Sequence, residues 1–237
     1  MKPKKIILSL LFLSNFLFSQ FNCGSITYKL LDVKRNDGGD STYVNTKSID
    51  FSKTLNFKLN FDKKRANFYT VSNLSLKGNV EDNLLNISTV KGFYSTDFDS
   101  SKVYRFVEYE ELGGKIAVEN TNQIKWKLLN KKKVISGYEC YLAEGVFKIY
   151  DRYVTECNLT AWYCPKIPIA IGPKFYNGLP GLIMEITDNK VTFGVTEMNF
   201  DDQLITKPVL KEIEYKKITD KEYTVMVAEF IDSMIKK

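Results

Sequence analysis

Residues 161–188, AWYCPKIPIAIGPKFYNGLPGLIMEITD, crowd Pro165, Pro168, Pro173 and Pro180 among bulky apolar side chains. Each proline fixes its own φ, removes a backbone donor and pushes the preceding residue out of the helical region. Neither a helix nor a central strand can run through such a stretch. Proline-rich chain is ordinarily a solvated linker. Linkers do not carry Trp162, Tyr163, Phe175, Tyr176, Leu182, Ile183 and Met184, so the segment reads as a rigid, packed, irregular connection leading into a strand. Pro180 followed by Gly181 has the i+1 and i+2 preferences of a type II turn. Two roles stay open for it. It is either a connection that packs Trp162 into the core, or a preformed groove for a peptide, lipid or other apolar ligand. The candidate groove residues are Trp162, Tyr163, Pro173, Gly178, Leu179, Pro180, Gly181, Leu182 and Ile183.

The amino terminus predicts export. Lys2, Lys4 and Lys5 precede an apolar run from Ile6 to Phe18, which ends at Ser19-Gln20, the layout of a secretory signal peptide. The run is short for a membrane span. Gln20-Phe21-Asn22 are too bulky and polar for lipoprotein processing at Cys23. The expected division is residues 1–20 as signal and residues 21–237 as one β-rich domain, exported to the periplasm or beyond, with no transmembrane segment after cleavage.

Composition excludes several chemistries. There is no histidine, which removes Ser-His-Asp, Cys-His and His-metal mechanisms together. Loss of residues 1–20 takes away three lysines and no acid, so the net charge falls from +6 to +3. That is too weak for a nucleic-acid footprint. Lys131 to Lys133, the densest basic run, reads as a turn between two strands. No metal or cofactor is expected. Asp37-Gly38-Gly39-Asp40 lacks the ligand count of a calcium site and reads as a flexible turn. Glu108, Glu110 and Glu111 form the best carboxylate group, and alternation puts Glu108 and Glu110 on one face of a strand.

Cys23, Cys140, Cys157 and Cys164 allow three disulfide connectivities, and no C-x-x-C motif occurs. If Tyr141–Phe147 and Val154–Cys164 make one hairpin turning near Asp151-Arg152, Cys140 comes opposite Cys164. That pairing is preferred, with Cys23 and Cys157 left to pair or stay reduced.

Strands dominate the rest. Leu55, Phe57, Leu59 and Phe61 alternate with Asn56, Lys58 and Asn60, the period-2 pattern of a half-buried strand. Residues 26–33, 66–71, 103–109, 115–118 and 137–147 read similarly, with Gly113-Gly114 as a hairpin turn. Residues 182–187 and 190–195 form another hairpin, turning at Asp188-Asn189, and Asn36 to Ser48 is a polar loop. One helix is predicted, at the C-terminus. Thr219 and Glu222 make a capping box, and Tyr223, Val227, Phe230, Ile231, Met234 and Ile235 form a stripe that should cover the sheet as core. A partner-docking or membrane-surface helix is the alternative reading. The expected fold is mainly β (α+β), a curved antiparallel sheet or half-barrel with the C-terminal helix packed against it.

Gly178-Leu179-Pro180-Gly181-Leu182-Ile183 spells GLPGLI, and the chain resembles the GLPGLI family of exported Bacteroidota proteins. Gly137-Tyr138-x-Cys140, Ala161-Trp162-Tyr163, Ile167-Pro168, Gly172-Pro173 and Glu185 stand in that family's order. Departures lie at Cys164, where Thr is more usual, and in the longer stretch between Phe147 and Cys157. The resemblance implies identity and compartment but no activity. The functional expectation is a non-catalytic envelope or secreted protein that binds an apolar small molecule, a lipid or a protein partner. A carboxylate-dependent hydrolase, and an adhesin or structural subunit of the envelope, are the alternatives.

Overall fold

A computed structural model of the protein describes residues 22–33, 55–71, 93–121, 123–150, 154–189, 191–200 and 214–235. Residues 1–20, expected as a signal peptide, and the segments expected as a polar loop (Asn36 to Ser48) and a hairpin turn (Asp151-Arg152) lie outside them.

The alternating segments pair as their periodicity requires. β1 (Gly24–Val33), β2 (Asn56–Phe61), β3 (Arg65–Val71), β4 (Phe93–Asp97), β5 (Lys102–Tyr109) and β6 (Gly114–Asn120) are followed by β7 (Lys125–Ile135), β8 (Tyr138–Tyr150) and β9 (Val154–Cys164). Then come β10 (Leu182–Thr187), β11 (Val191–Asn199), β12 (Lys216–Thr219) and the helix α1 (Asp220–Ile235). All twelve strands join one open sheet in the order β12-β6-β5-β4-β3-β2-β1-β11-β10-β9-β8-β7. The fold is mostly β, with one C-terminal helix among the described residues.

Leu55, Phe57, Leu59 and Phe61 are all buried. Phe57 stacks on Phe68 at 5.8 Å and meets Phe193 edge-on at 5.4 Å, so β2, β3 and β11 share one aromatic core. The β8–β9 hairpin has the register expected, pairing Tyr141 with Tyr163 and Tyr150 with Val154. Asp188 closes the β10–β11 turn, its Oδ1 accepting the Val191 N–H at 2.7 Å.

Four expectations are corrected. Lys131 to Lys133 lie inside β7, where Lys132 and Lys133 pair with Tyr141 and Cys140. The turn falls at Ser136-Gly137, whose φ values of 48° and 81° suit a two-residue hairpin of right-handed twist. Second, the sheet is not wholly antiparallel, because β12 runs parallel to β6. Third, the helical stripe is not core, since no residue of α1 is buried. Its first turns dock with Tyr223 and Met226 against Val107, Ile116 and Val118, while Met234 and Ile235 are 63% and 73% exposed. Fourth, Pro180-Gly181 is not a type II turn. Gly181 N–H donates to Leu179 O at 2.8 Å, an inverse γ-turn centred on Pro180, and Gly181 has φ 151°. The Leu182 N–H, which a type II turn would direct to Leu179 O, instead reaches Ile167 O at 2.9 Å.

Candidate functional site

Residues 165–181 are held down by their own backbone. Ile167 N–H donates to Cys164 O at 3.2 Å across Pro165, a β-turn with proline at its preferred second position. Pro168 and Ala170 each centre a γ-turn, through Ile169 N–H to Ile167 O and Ile171 N–H to Ile169 O, both 2.8 Å. Gly178 N–H to Ala170 O and Ile183 N–H to Ile171 O then lace the two halves together, at 3.2 and 2.9 Å. Pro165, Pro168 and Pro180 stand at turn centres, where no donor is needed, and Pro173 opens the turn that Tyr176 N–H closes onto its carbonyl at 3.1 Å.

A buried polar cluster fastens this segment, the long loop of the antiparallel β9–β10 hairpin (the crossover), to the sheet. Lys174, at φ 55°, extends its ammonium to Asp188 Oδ2 at 3.3 Å. The Tyr176 hydroxyl donates to the same oxygen at 2.7 Å. The ammonium also lies 5.0 Å from the centre of the Phe193 ring. Burial, reinforced by the Asp188 charge and hydrogen bond, pushes the Tyr176 phenol far above its ordinary range. From β1, the buried Tyr28 hydroxyl donates to Ile183 O at 2.6 Å, and burial keeps that phenol protonated. From β7, Trp126 Nε1–H donates to Asn177 O at 2.8 Å.

The sequence-predicted site residues divide in two. Leu179, Leu182, Ile183 and Tyr163 are buried in the main core, and Gly181 and Pro173 are buried in the crossover. Gly178 and Pro180 are exposed. Trp162 stands apart, because on β9 it pairs with Leu142 and faces away from its neighbour Tyr163. Lys133 passes over it, 5.1 Å from its ring, to reach Glu185 at 2.8 Å. The Lys133–Glu185 ion pair thus reaches across the Trp162 ring.

A cleft does open elsewhere along the crossover. The strand registers bring the end of β2, the end of β4 and the start of β1 to one end of the sheet. There the turns after β2 and β4 face Pro168 to Ile171 and Asn177-Gly178 across a cavity of about 600 Å³. Phe61, Phe98, Ile169 and Ile171 supply its apolar surface, and Asn22, Asp62, Asp97 and Ser101 its polar one. Both aspartates are engaged in closing turns. Asp62 Oδ1 accepts the Lys64 and Arg65 N–H groups at 2.7 and 2.9 Å. Asp97 Oδ1 accepts the Ser100 N–H and hydroxyl, both at 2.9 Å, and these bonds hold its exposed carboxyl below the usual range. Of the cleft lining, Gly178 alone belongs to the predicted groove. Phe61 was legible as a strand residue but not as a wall of this cavity, because only folding brings it to the crossover.

Glu108, Glu110 and Glu185 do not converge. Glu108 on β5 is exposed and pairs with Lys115 at 3.5 Å, and Glu110 is exposed in the short 3-10 turn after β5. The Glu111 side chain lies outside the described residues. Glu185 on β10 is separated from β5 by five strands. Among the described residues no group of three or more Asp, Glu and Cys side chains is placed to hold a metal ion. No described helix is long and apolar enough to cross a membrane. No disulfide joins any two of the described cysteines.

These features define the class as an open, mostly β sheet with a long proline-rich loop between two antiparallel neighbours. Residues 150–185 match the model of a family described as "Protein of unknown function (Porph_ging)", a Bacteroidota-associated family. That match covers β9, the crossover and the start of β10. Two solved structures of PNGF-II, in space groups C2 and P21, superpose with a TM-score of 0.52 in each case. They are 12% and 13% identical to this chain and cover 88% of it, so the likeness is one of fold. The chain spans 33% and 34% of those two chains. No curated protein matches.

Proposed function

We propose that this protein is an exported, non-catalytic binding protein of the GLPGLI type, and that it takes an amphipathic ligand in the cleft between the crossover and the turns after β2 and β4. The observation that carries this reading is the cleft itself. At about 600 Å³ it falls within the range of small-molecule sites, with apolar walls and a few polar groups at its rim. The ligand class that suits it has an apolar body, as in a lipid or a short peptide, and a polar head. A rigid rim of turns and γ-turns supports binding without a costly rearrangement. Placement in the envelope follows from the signal-like residues 1–20. The hydrolase reading has less support, because Glu108, Glu110 and Glu185 lie on separate elements and the cleft's own Asp62 and Asp97 are engaged in closing turns.

The test is native mass spectrometry of protein purified from its own envelope, together with titration of an anilinonaphthalene sulfonate probe. A co-purifying amphiphile, and probe binding that Ala170→Trp weakens at least tenfold by filling the cleft, are expected. Ala170 is exposed, so the variant should fold. An empty wild-type protein whose probe binding is untouched by Ala170→Trp would sink the proposal.

A further inference from the structure

We propose that Cys140 and Cys164 form a cross-strand disulfide that pins the root of the proline-rich crossover to β8. The hairpin register pairs Leu142 with Trp162 and Tyr141 with Tyr163, so the next step sets Cys140 opposite Cys164. Opposed residues of an antiparallel pair have Cα atoms about 4.5–5.5 Å apart, within the roughly 4.4–6.8 Å that a disulfide spans. Both cysteines are 0% exposed, and alternation puts them on the face opposite Cys157. The two thiols are near enough to move each other's proton affinity in opposite directions, Cys140 up and Cys164 down. Cys140 Sγ also lies 3.4 Å from Tyr138 O.

Burial decides between the two uses of such a pair. A redox-active dithiol must present a sulfur to its partner protein, and neither of these reaches the surface. A structural bond closed during folding fits both the register and the burial. Cys164 is also where it would matter. Its carbonyl starts the Pro165 turn and lies against Gly181, so a fixed Cys164 fixes both ends of the crossover. The chemistry needs a small-molecule disulfide, such as oxidised glutathione, before the Pro165 turn covers the sulfur. The Cys164 thiolate attacks one glutathione sulfur, forming a mixed disulfide and releasing the first glutathione thiolate. The Cys140 thiolate then attacks the Cys164 sulfur, forming the protein bond and releasing the second. Two protein thiols are oxidised, and the two glutathione thiolates formed take up their two protons.

The experiment refolds the reduced, unfolded full chain with a glutathione redox pair or with excess reductant, then alkylates and maps peptides. Oxidative refolding should yield one linked peptide pair carrying Cys140 and Cys164, with a mass lower by two hydrogens. The oxidised protein should melt roughly 5–15 °C above the reduced one. A C23S/C157S variant should give the same link and the same shift, and a C140A/C164A variant should fold but lose the shift. Alkylation of both Cys140 and Cys164 after oxidative refolding, or a link from either to Cys23 or Cys157, overturns the proposal. So does a redox-dependent shift that survives in C140A/C164A. If the reduced chain fails to refold, the peptide map of the oxidised sample decides alone.

Discussion

At Gly181 an added Cβ would stand 2.1 Å from the Cys164 carbonyl oxygen and 2.5 Å from its carbonyl carbon. Those are backbone atoms held by the β9–β10 pairing, so they cannot step aside. Gly181→Ala should therefore cost at least about 3 kcal/mol, well beyond the 1–2 kcal/mol of positive φ alone. Gly178, at φ 86° with its nearest neighbour 3.7 Å away, should lose only about 1 kcal/mol as alanine. Urea denaturation of the two variants would separate close approach from conformational freedom. Lys174→Met leaves Asp188 buried without its cation and should cost about 3–5 kcal/mol by the same assay. The reduced Cys140–Cys164 pair also predicts a pH dependence. The Cys140 hydrogen bond, with those from Lys166 and Ile167, pulls the Cys164 thiol from an ordinary value of 9.0 down to about 6. Between about pH 6 and 9 the unfolded chain then holds the extra proton, so stability rises with pH across that window and is lost as pH falls through 6. Cys140 is pushed the other way, so stability falls again above pH 9, where the unfolded chain sheds a second proton. Urea midpoints of the reduced protein should trace this bell, and those of C140A/C164A should not.

Among the elements, α1 shows what a local signal determines and what it leaves open. Thr219 and Glu222 make the reciprocal cap that their spacing predicts. Glu222 N–H donates to Thr219 Oγ1 at 3.2 Å, and Thr219 N–H to Glu222 Oε2 at 2.7 Å. The Thr219 N–H, with the Thr219 hydroxyl donating to the same oxygen at 2.8 Å, holds the Glu222 carboxyl below its usual range. Thr219→Ala should cost about 1 kcal/mol, read as lost helical signal and a lower urea midpoint. The apolar stripe promised burial, yet Met234 and Ile235 point to water, so replacing both with lysine should change the unfolding free energy from urea titration by less than about 0.5 kcal/mol. Periodicity says which side chains share a face but not whether another surface meets that face. β7 fails differently. Its five lysines and the bulge between Leu128 and Lys132 erase the alternation of a strand, because an edge strand has no second neighbour and little to bury.

At the scale of the molecule, the sheet brings distant segments to one end. β1 lies between β2 and β11, and β12 returns to run beside β6. Thr121 donates to Asp220 Oδ1 at 2.6 Å, tying the end of β6 to the start of α1. The cleft exists only because the turns after β2 and β4 arrive beside a crossover more than sixty residues further along the chain. Nothing near Phe61 or Phe98 in the sequence announces that meeting. Nor does the sequence around Trp162 announce the Lys133–Glu185 ion pair that reaches over it from β7 and β10.

By itself the sequence determined what depends on neighbours along the chain. That covers the alternation of β2, the register of the β8–β9 hairpin that sets Cys140 against Cys164, the cap of α1, and the rigidity of residues 165–181. Each follows from dihedral restriction, side-chain period or hydrogen bonds spanning a few residues. Tertiary structure alone decided the order of strands, the parallel β12, the exposure of the helix end, the Lys174–Asp188–Tyr176 cluster and the place of the cleft. These rest on contacts between residues far apart in the chain, whose closure is governed by packing of the whole core and has no local signature.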